Sequence, residues 1–456
     1  MTKGNPLKLM LQFALPLLIG NLLQQTYNII DAAIVGQILG AKALASVGAS
    51  SSVQFLVLGF CMGCCTGFGV PVAKYFGAEK MDTMRNYVFN GAVLTGGIGV
   101  TVTILCSVFC PQILHLLSVP EDIFRGAYHY LLIIFLGIPF TLLYNYLSSI
   151  LRSLGDSRTP FLFLAFSAIL NIFLDLFCIV VLKWGCAGAA AATITAQAIS
   201  GILCLVFIGR KMNVLHLTKE GIRLAIKMGM HLTKENRMVN ITAVKELLAM
   251  GLPTGLQFSI TAIGSMVMQS ANNGLGSVCV SGFTAGMRIK QFAMCPFDAI
   301  ATSASVFCSQ NMGARQPERI KKGLRQGVAI ATIYGLLIGL VLIFGGRTLS
   351  MIFVKKSAAD LGCIRKISAV SWIFLLESRY PECKPNGDTG TWIFRKSSSF
   401  RCDGDAGKND CQSGICRSPG VYGNLLRGSG GMDRSMLLHS TDLPALRQKG
   451  DWDTGR

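Results

Sequence analysis

Asp31 and Asp175 are carboxylic acids set inside long apolar runs, and they are where this sequence could do chemistry. Asp31 closes the stretch Gln24-Gln25-Thr26-Tyr27-Asn28-Ile29-Ile30-Asp31. Gln24, Asn28 and Asp31 stand at i, i+4 and i+7, so a helix presents them on one face. Asn171 precedes Asp175 by four and shares its face in the same way. Holding an ionisable group at membrane depth costs several kcal/mol, which makes such a group a functional candidate by default. Two carboxylates with amides beside them suit a proton or a small hard cation such as Na⁺, which prefers oxygen ligands. The plainer alternatives are that Asp31 sits at the outer interface, near Gly36 and Gln37, and that Asp175 is paired structurally.

The later part of the chain is built differently. It offers the amides Gln257, Gln269, Asn272 and Asn273 but no carboxylate in its first two apolar runs until Asp298. A coupling cation is therefore expected in the first half. The cavity candidates for a substrate are Gln24, Asn28, Gln257, Gln269, Asn272 and Asn273. Arg288 and Lys290 either line the cavity or snorkel to the interface. Pro16 removes one backbone hydrogen bond from the first run and permits a bend there, and Pro253 holds the matching place later.

Enzyme chemistry has no foothold. His115, His129, His216, His231 and His439 lack ligand spacing, and there is no Walker-type phosphate loop. Of 16 cysteines, the trio Cys61, Cys64 and Cys65 has no further partner at metal spacing, so it reads as packing. No cofactor is expected, and no metal beyond a possible Na⁺ at Asp31, Asn171 and Asp175.

The elements that must position these residues are membrane spans. The chain is 51% hydrophobic and only 14% charged, against about 25% charged in soluble domains. Ten of the 23 acidic residues fall in 377–456. The remaining 376 positions then carry too few for a solvated globule, and their partner is a lipid bilayer. Runs long enough to cross one are 9–35, 47–72, 88–110, 128–150, 161–182, 187–208, 247–271, 278–306 and 328–344, with a tenth failing after Cys363. The net charge of +19 does not point to nucleic acid, because the basic residues occupy the gaps between spans. Lys74, Lys80, Arg85, Arg152, Arg158 and the basic run in 209–246 fall on one side, as do Arg315 to Arg325. Lys42, Arg125, Lys183, Arg347, Lys355 and Lys356 are the few on the other. That bias predicts a multi-pass protein of the cell membrane with a cytoplasmic N-terminus.

The chain also repeats. Phe76-Gly77-Ala78 resembles Met312-Gly313-Ala314, Ala14-Leu15-Pro16 resembles Gly251-Leu252-Pro253, and Gly40 answers Gly276, all at an offset of 236 or 237 residues. Each repeat starts inside, so the fold class is all-α membrane protein with two parallel six-helix repeats, the second incomplete at about nine to ten spans in all. The expected divisions are an N-terminal lobe at 1–208, a cytoplasmic linker at 209–246, an incomplete C-terminal lobe at 247–376, and a non-native tail at 377–456. That tail is polar exactly where the repeat demands more spans. Read one base later, Met432-Asp433 is forced to Trp, and Gly430 to Ser440 permits Ala-Ala-Trp-Ile-Ala-Ala-Cys-Phe-Tyr-Ile-Pro. A frameshift between Ile367 and Glu377 is the expectation.

Together these motifs resemble the multidrug and toxic compound extrusion (MATE) family over nearly all of 1–376. The resemblance rests on Phe13-Ala14-Leu15-Pro16, Tyr27-Asn28-Ile29-Ile30-Asp31, Phe76-Gly77-Ala78, Leu151-Arg152-Ser153-Leu154-Gly155-Asp156, Asn171 with Asp175, and Gly251-Leu252-Pro253-Thr254-Gly255-Leu256-Gln257. It implies two six-helix lobes around a central cavity and export of cationic or amphipathic organic compounds by Na⁺ or H⁺ antiport, with Asp31, Asn171 and Asp175 as the cation site and Pro16 as a bending point. The rival readings are a lipid-linked sugar flippase of related fold and an inactive truncated transporter.

Overall fold

Asn5 begins the first helix, α1 (Pro6–Ile34): its side-chain oxygen accepts the Leu7 N–H at 3.0 Å, and Pro6 occupies the position where a missing N–H costs nothing. This computed structural model describes residues 1–117, 119–211, 240–273, 277–350, 380–385 and 392–397. After α1 come α2 (Ala41–Gly77), α3 (Met81–Val108), the short α4 (Cys110–Leu116), α5 (Glu121–Leu136), α6 (Ile138–Ser153), α7 (Arg158–Leu176) and α8 (Cys186–Lys211). The later part supplies α9 (Ile241–Asn273), α10 (Ser277–Gly313) and α11 (Pro317–Ser350).

Among the described residues, eight helices are long and apolar enough to cross a membrane, or nine if the bent pair α5–α6 is one span. The nine expected runs therefore have their helices. The sequence reading missed the 47° bend between α5 and α6. Gly137 stands at the joint and Pro139 follows, so the hydrogen-bond ladder is interrupted there. A Cβ at Gly137 would fall 2.2 Å from the Ile194 side chain, so the joint is also where α8 comes closest.

α7 shows how the bundle sorts its side chains. Leu162, Ile169 and Phe173 are 62%, 56% and 67% exposed, while Asn171 and Asp175 are 3% and 0%. The apolar face meets lipid and the polar face meets protein, the inverse of a soluble helix. The main core joins α2, α3, α5 and α6 through Phe68, Met84, Leu131, Phe135, Ile150 and Leu151, all fully buried. α9 packs along α2 with almost no side chains between them: a Cβ at Gly63 would lie 2.7 Å from Gly255 Cα, and one at Gly67 would lie 2.6 Å from the Met250 carbonyl oxygen. Small residues allow such backbone approach in membranes.

Asn240 caps α9 by accepting the Thr242 N–H at 2.9 Å, and its own N–H donates to Asn90 of α3 at 3.2 Å. Most of the expected linker, 212–239, lies outside the described residues, as do the tenth run and nearly all of the tail. The exception in the tail is a pair of strands, Tyr380–Pro385 and Trp392–Ser397. A lone two-stranded pair is marginal by itself.

Candidate cation site

α1 and α7 lie side by side, and the two carboxyl groups expected from the sequence meet between them. Asp31 and Asp175 are within interaction reach of each other. Each helix passes into a π-helical turn just beyond its carboxylate, Val35–Leu39 after α1 and Phe177–Val181 after α7. The two turns touch each other. π-Turns inside helices recur at functional sites. Nothing in the residue types announced these two.

The surroundings accept hydrogen bonds and offer few. Asp31 Oδ1, both Asp175 carboxyl oxygens, Asn171 Oδ1 and Gln197 Oε1 are buried and unpaired in hydrogen bonding. Leaving one buried acceptor unmet costs about 1–3 kcal/mol. Five such oxygens drawn from α1, α7 and α8 are tolerated where a cation supplies the missing positive charge. Two carboxylates in mutual reach also repel unless a proton or metal ion lies between them.

Asn171 donates weakly to Thr193 Oγ1 at 3.4 Å, and Thr193 donates to the Ala189 carbonyl at 3.0 Å. A narrow space beside them is lined by Tyr27, Ser167, Asn171, Thr193 and Gln197. Tyr27 stands beside Gln24 and lies in electrostatic range of both carboxyls, as does Tyr130. Sequence reasoning named Asp31, Asn171, Asp175 and Gln24. It missed Tyr27, Tyr130, Thr193 and Gln197, because an aromatic, a Thr or a lone Gln in a span is ordinary until its neighbours are known.

The other candidates are placed elsewhere. Asn28 is half-buried on α1. Gln257 is half-buried on α9, which packs chiefly on α2 and α3. The side chains of Gln269, Asn272 and Asn273 lie outside the described residues. Pro16 is half-buried, and α1 continues through it as helix. Among the described residues, no three His, Cys, Asp or Glu side chains could together hold a metal ion. Cys61, Cys64 and Cys65 are buried in the core.

The fold and these residues have relatives. The MatE family model matches residues 16–177 and 253–375, two blocks that begin at Pro16 and Pro253 and so follow the internal repeat. The chain is 32% identical over 319 residues to the probable multidrug resistance protein YpnP of Bacillus subtilis (strain 168), covering 70% of this chain and 68% of that protein. It shares its fold with an outward-facing multidrug resistance MATE transporter of the MOP superfamily at a TM-score of 0.72, 22% identity, and coverage of 83% and 81%. A MATE protein solved in a bent conformation superposes with a TM-score of 0.70 at 22% identity, covering 82% of this chain and 80% of that one. The chain belongs to the MATE family, and it is a multi-pass membrane transporter for multidrug efflux, not an enzyme.

Proposed function

We propose that this protein exports cationic or amphipathic organic compounds in exchange for an inward-moving cation, H⁺ or Na⁺, bound at Asp31, Asn171 and Asp175. The observation that carries the reading is the pair Asp31 and Asp175, brought into mutual reach between α1 and α7 with buried carboxyl oxygens that make no hydrogen bond. In the proposed cycle a cation enters from outside and bridges the two carboxyls. Tyr27 and Gln24, on the same helix as Asp31, then exchange partners. α1 bends at Pro16, which stands inside that helix and removes one of its backbone hydrogen bonds. The bend narrows the cavity and displaces the organic substrate outward, and the two six-helix lobes then rock to release the cation inside. The lysines and arginines gathered at 74–85, 152–158 and 315–325 support a cytoplasmic N-terminus.

The family match ends at residue 375, inside the interval where the reading frame is expected to slip. We infer that the frame-restored chain is the complete exporter; an inactive truncated transporter is the second reading for the chain with the polar tail, favoured only by the point where the family match stops. The test is dye efflux from cells carrying the frame-restored chain, under imposed H⁺ or Na⁺ gradients. Asp31→Asn is expected to lower gradient-driven efflux about tenfold or more, the equivalent of roughly 1.4 kcal/mol of lost cation binding. Undiminished efflux in that variant would overturn the assignment.

A further inference from the structure

The motif that the sequence repeats is found touching its own copy. α2 ends with Lys74-Tyr75-Phe76-Gly77-Ala78-Glu79-Lys80, and α10 ends with Gln310-Asn311-Met312-Gly313-Ala314-Arg315-Gln316. The two ends close with the same hydrogen bonds. Glu79 N–H donates to the Phe76 carbonyl and Arg315 N–H to the Met312 carbonyl, both at 3.1 Å. Lys80 N–H donates to Tyr75 and Gln316 N–H to Asn311, at 3.1 and 3.0 Å. Glu79 and Arg315 hold φ of 58° and 54°, the left-handed value that this helix stop requires and that glycine usually supplies.

The contact between them is reciprocal. A Cβ on Gly77 would fall 2.0 Å from the Gln310 carbonyl oxygen, and a Cβ on Gly313 would fall 1.8 Å from the Lys74 carbonyl oxygen. Gly77 corresponds to Gly313, and Lys74 to Gln310, at the repeat offset of 236 residues. Each glycine thus rests on the equivalent carbonyl of the other repeat, as across a two-fold axis. The paired side chains cross over as well. Lys74 leaves the first repeat to meet Glu246 of α9 at 3.1 Å. Gln310 leaves the second and donates to the Ser153 carbonyl of α6 at 2.7 Å. Glu246 is held further by Tyr87, which donates to Oε2, and by Tyr75 at 3.4 Å. Gln310 is fully buried, and its Oε1 accepts from the Met1 ammonium at 2.7 Å.

We propose that the two copies of this motif form the cytoplasmic gate of the transporter, closed in this structure by the Gly77–Gly313 crossing and latched by Lys74–Glu246 and Gln310–Ser153. The inference rests on the proposed orientation and two-lobe arrangement, but on neither the coupling ion nor the substrate. Glycine is needed at both positions because only a Cα hydrogen fits against a facing carbonyl. Opening toward the cytoplasm must part both contacts together, since one pseudo-symmetry axis relates them. The latches are polar and reach across the interface, so they can break and reform against water at modest cost.

The gate is read through a disulfide between Asn90→Cys and Asn240→Cys, whose parent side chain and backbone meet at 3.2 Å across the two repeats. A protease site placed within residues 212–239 of the full chain separates the repeats for analysis after oxidation in membranes. The disulfide is expected to hold the two fragments together in the parent. Its yield should fall several-fold with Gly77→Ala or Gly313→Ala, and stay at the parent level with Gly96→Ala, where a Cβ meets nothing within 4 Å. Glu246→Gln, which adds no bulk, should lower the yield through loss of the latch, and it decides the matter alone if either alanine chain fails to insert. Parental yield in Glu246→Gln and in whichever alanine chains insert would overturn the gate. Loss of efflux control at Asp31 would leave the disulfide result unmoved, so the two proposals fail separately.

Discussion

Asp31 and Asp175 share one environment, so their contributions to binding are expected to merge rather than add. If both carboxyls hold one cation, removing either charge abolishes the site, and removing the second costs little more. Asp31→Asn, Asp175→Asn and the double variant should therefore show equal losses of cation-driven efflux. Independent sites would instead give losses that multiply. Gln197→Leu removes an oxygen without removing charge, and should weaken cation dependence while leaving efflux measurable at a steeper gradient. At this scale the sequence was informative only where charge stood against a hydrophobic background. Asp31, Asn171 and Asp175 were legible because a carboxylate or amide in a span is costly. Thr193 and Gln197 were not, since their meaning comes from a neighbour on α7 that no spacing along α8 reveals.

The helices were legible from apolar length, and nine expected runs correspond to eight or nine spans. What length does not encode is how a helix deviates. The bend at Gly137 lies against Ile194 of α8, and the π-turns after Asp31 and Asp175 touch each other, neighbours that apolar length along the chain does not reveal. The close seam between α2 and α9 gives a prediction at this scale. Gly67→Ala places a methyl 2.6 Å from the Met250 carbonyl oxygen. The backbones must then separate, at a cost of about 1–3 kcal/mol. Gly96→Ala adds a methyl in open space, and should be neutral or slightly stabilising because alanine restricts the unfolded chain more than glycine does. Thermal melts of the detergent-solubilised protein, followed by size-exclusion recovery, should show a lower Tm for the first and an equal or higher Tm for the second.

The whole molecule is where composition and repeat disagree. Nine spans and a family match ending at residue 375 describe most of a transporter, whereas residues 377–456 carry ten of 23 acidic groups and no run that could enter lipid. A repeat that begins at the offset of 236 or 237 residues needs three more helices to enclose the cavity as the first repeat does. An uncovered second lobe would leave α9 to α11 presenting to lipid faces meant for protein. Restoring the frame between Ile367 and Glu377 is therefore expected to change the molecule, not merely its terminus. The restored chain should accumulate in the membrane, melt at a higher temperature and confer dye efflux. The chain as written should accumulate poorly and leave dye retention at the level of cells without the gene. A C-terminal tag accessible from the cytoplasm in the restored chain would match twelve spans with an inside N-terminus. Equal efflux from both chains would mean that nine spans suffice and that the frame has nothing to do with function.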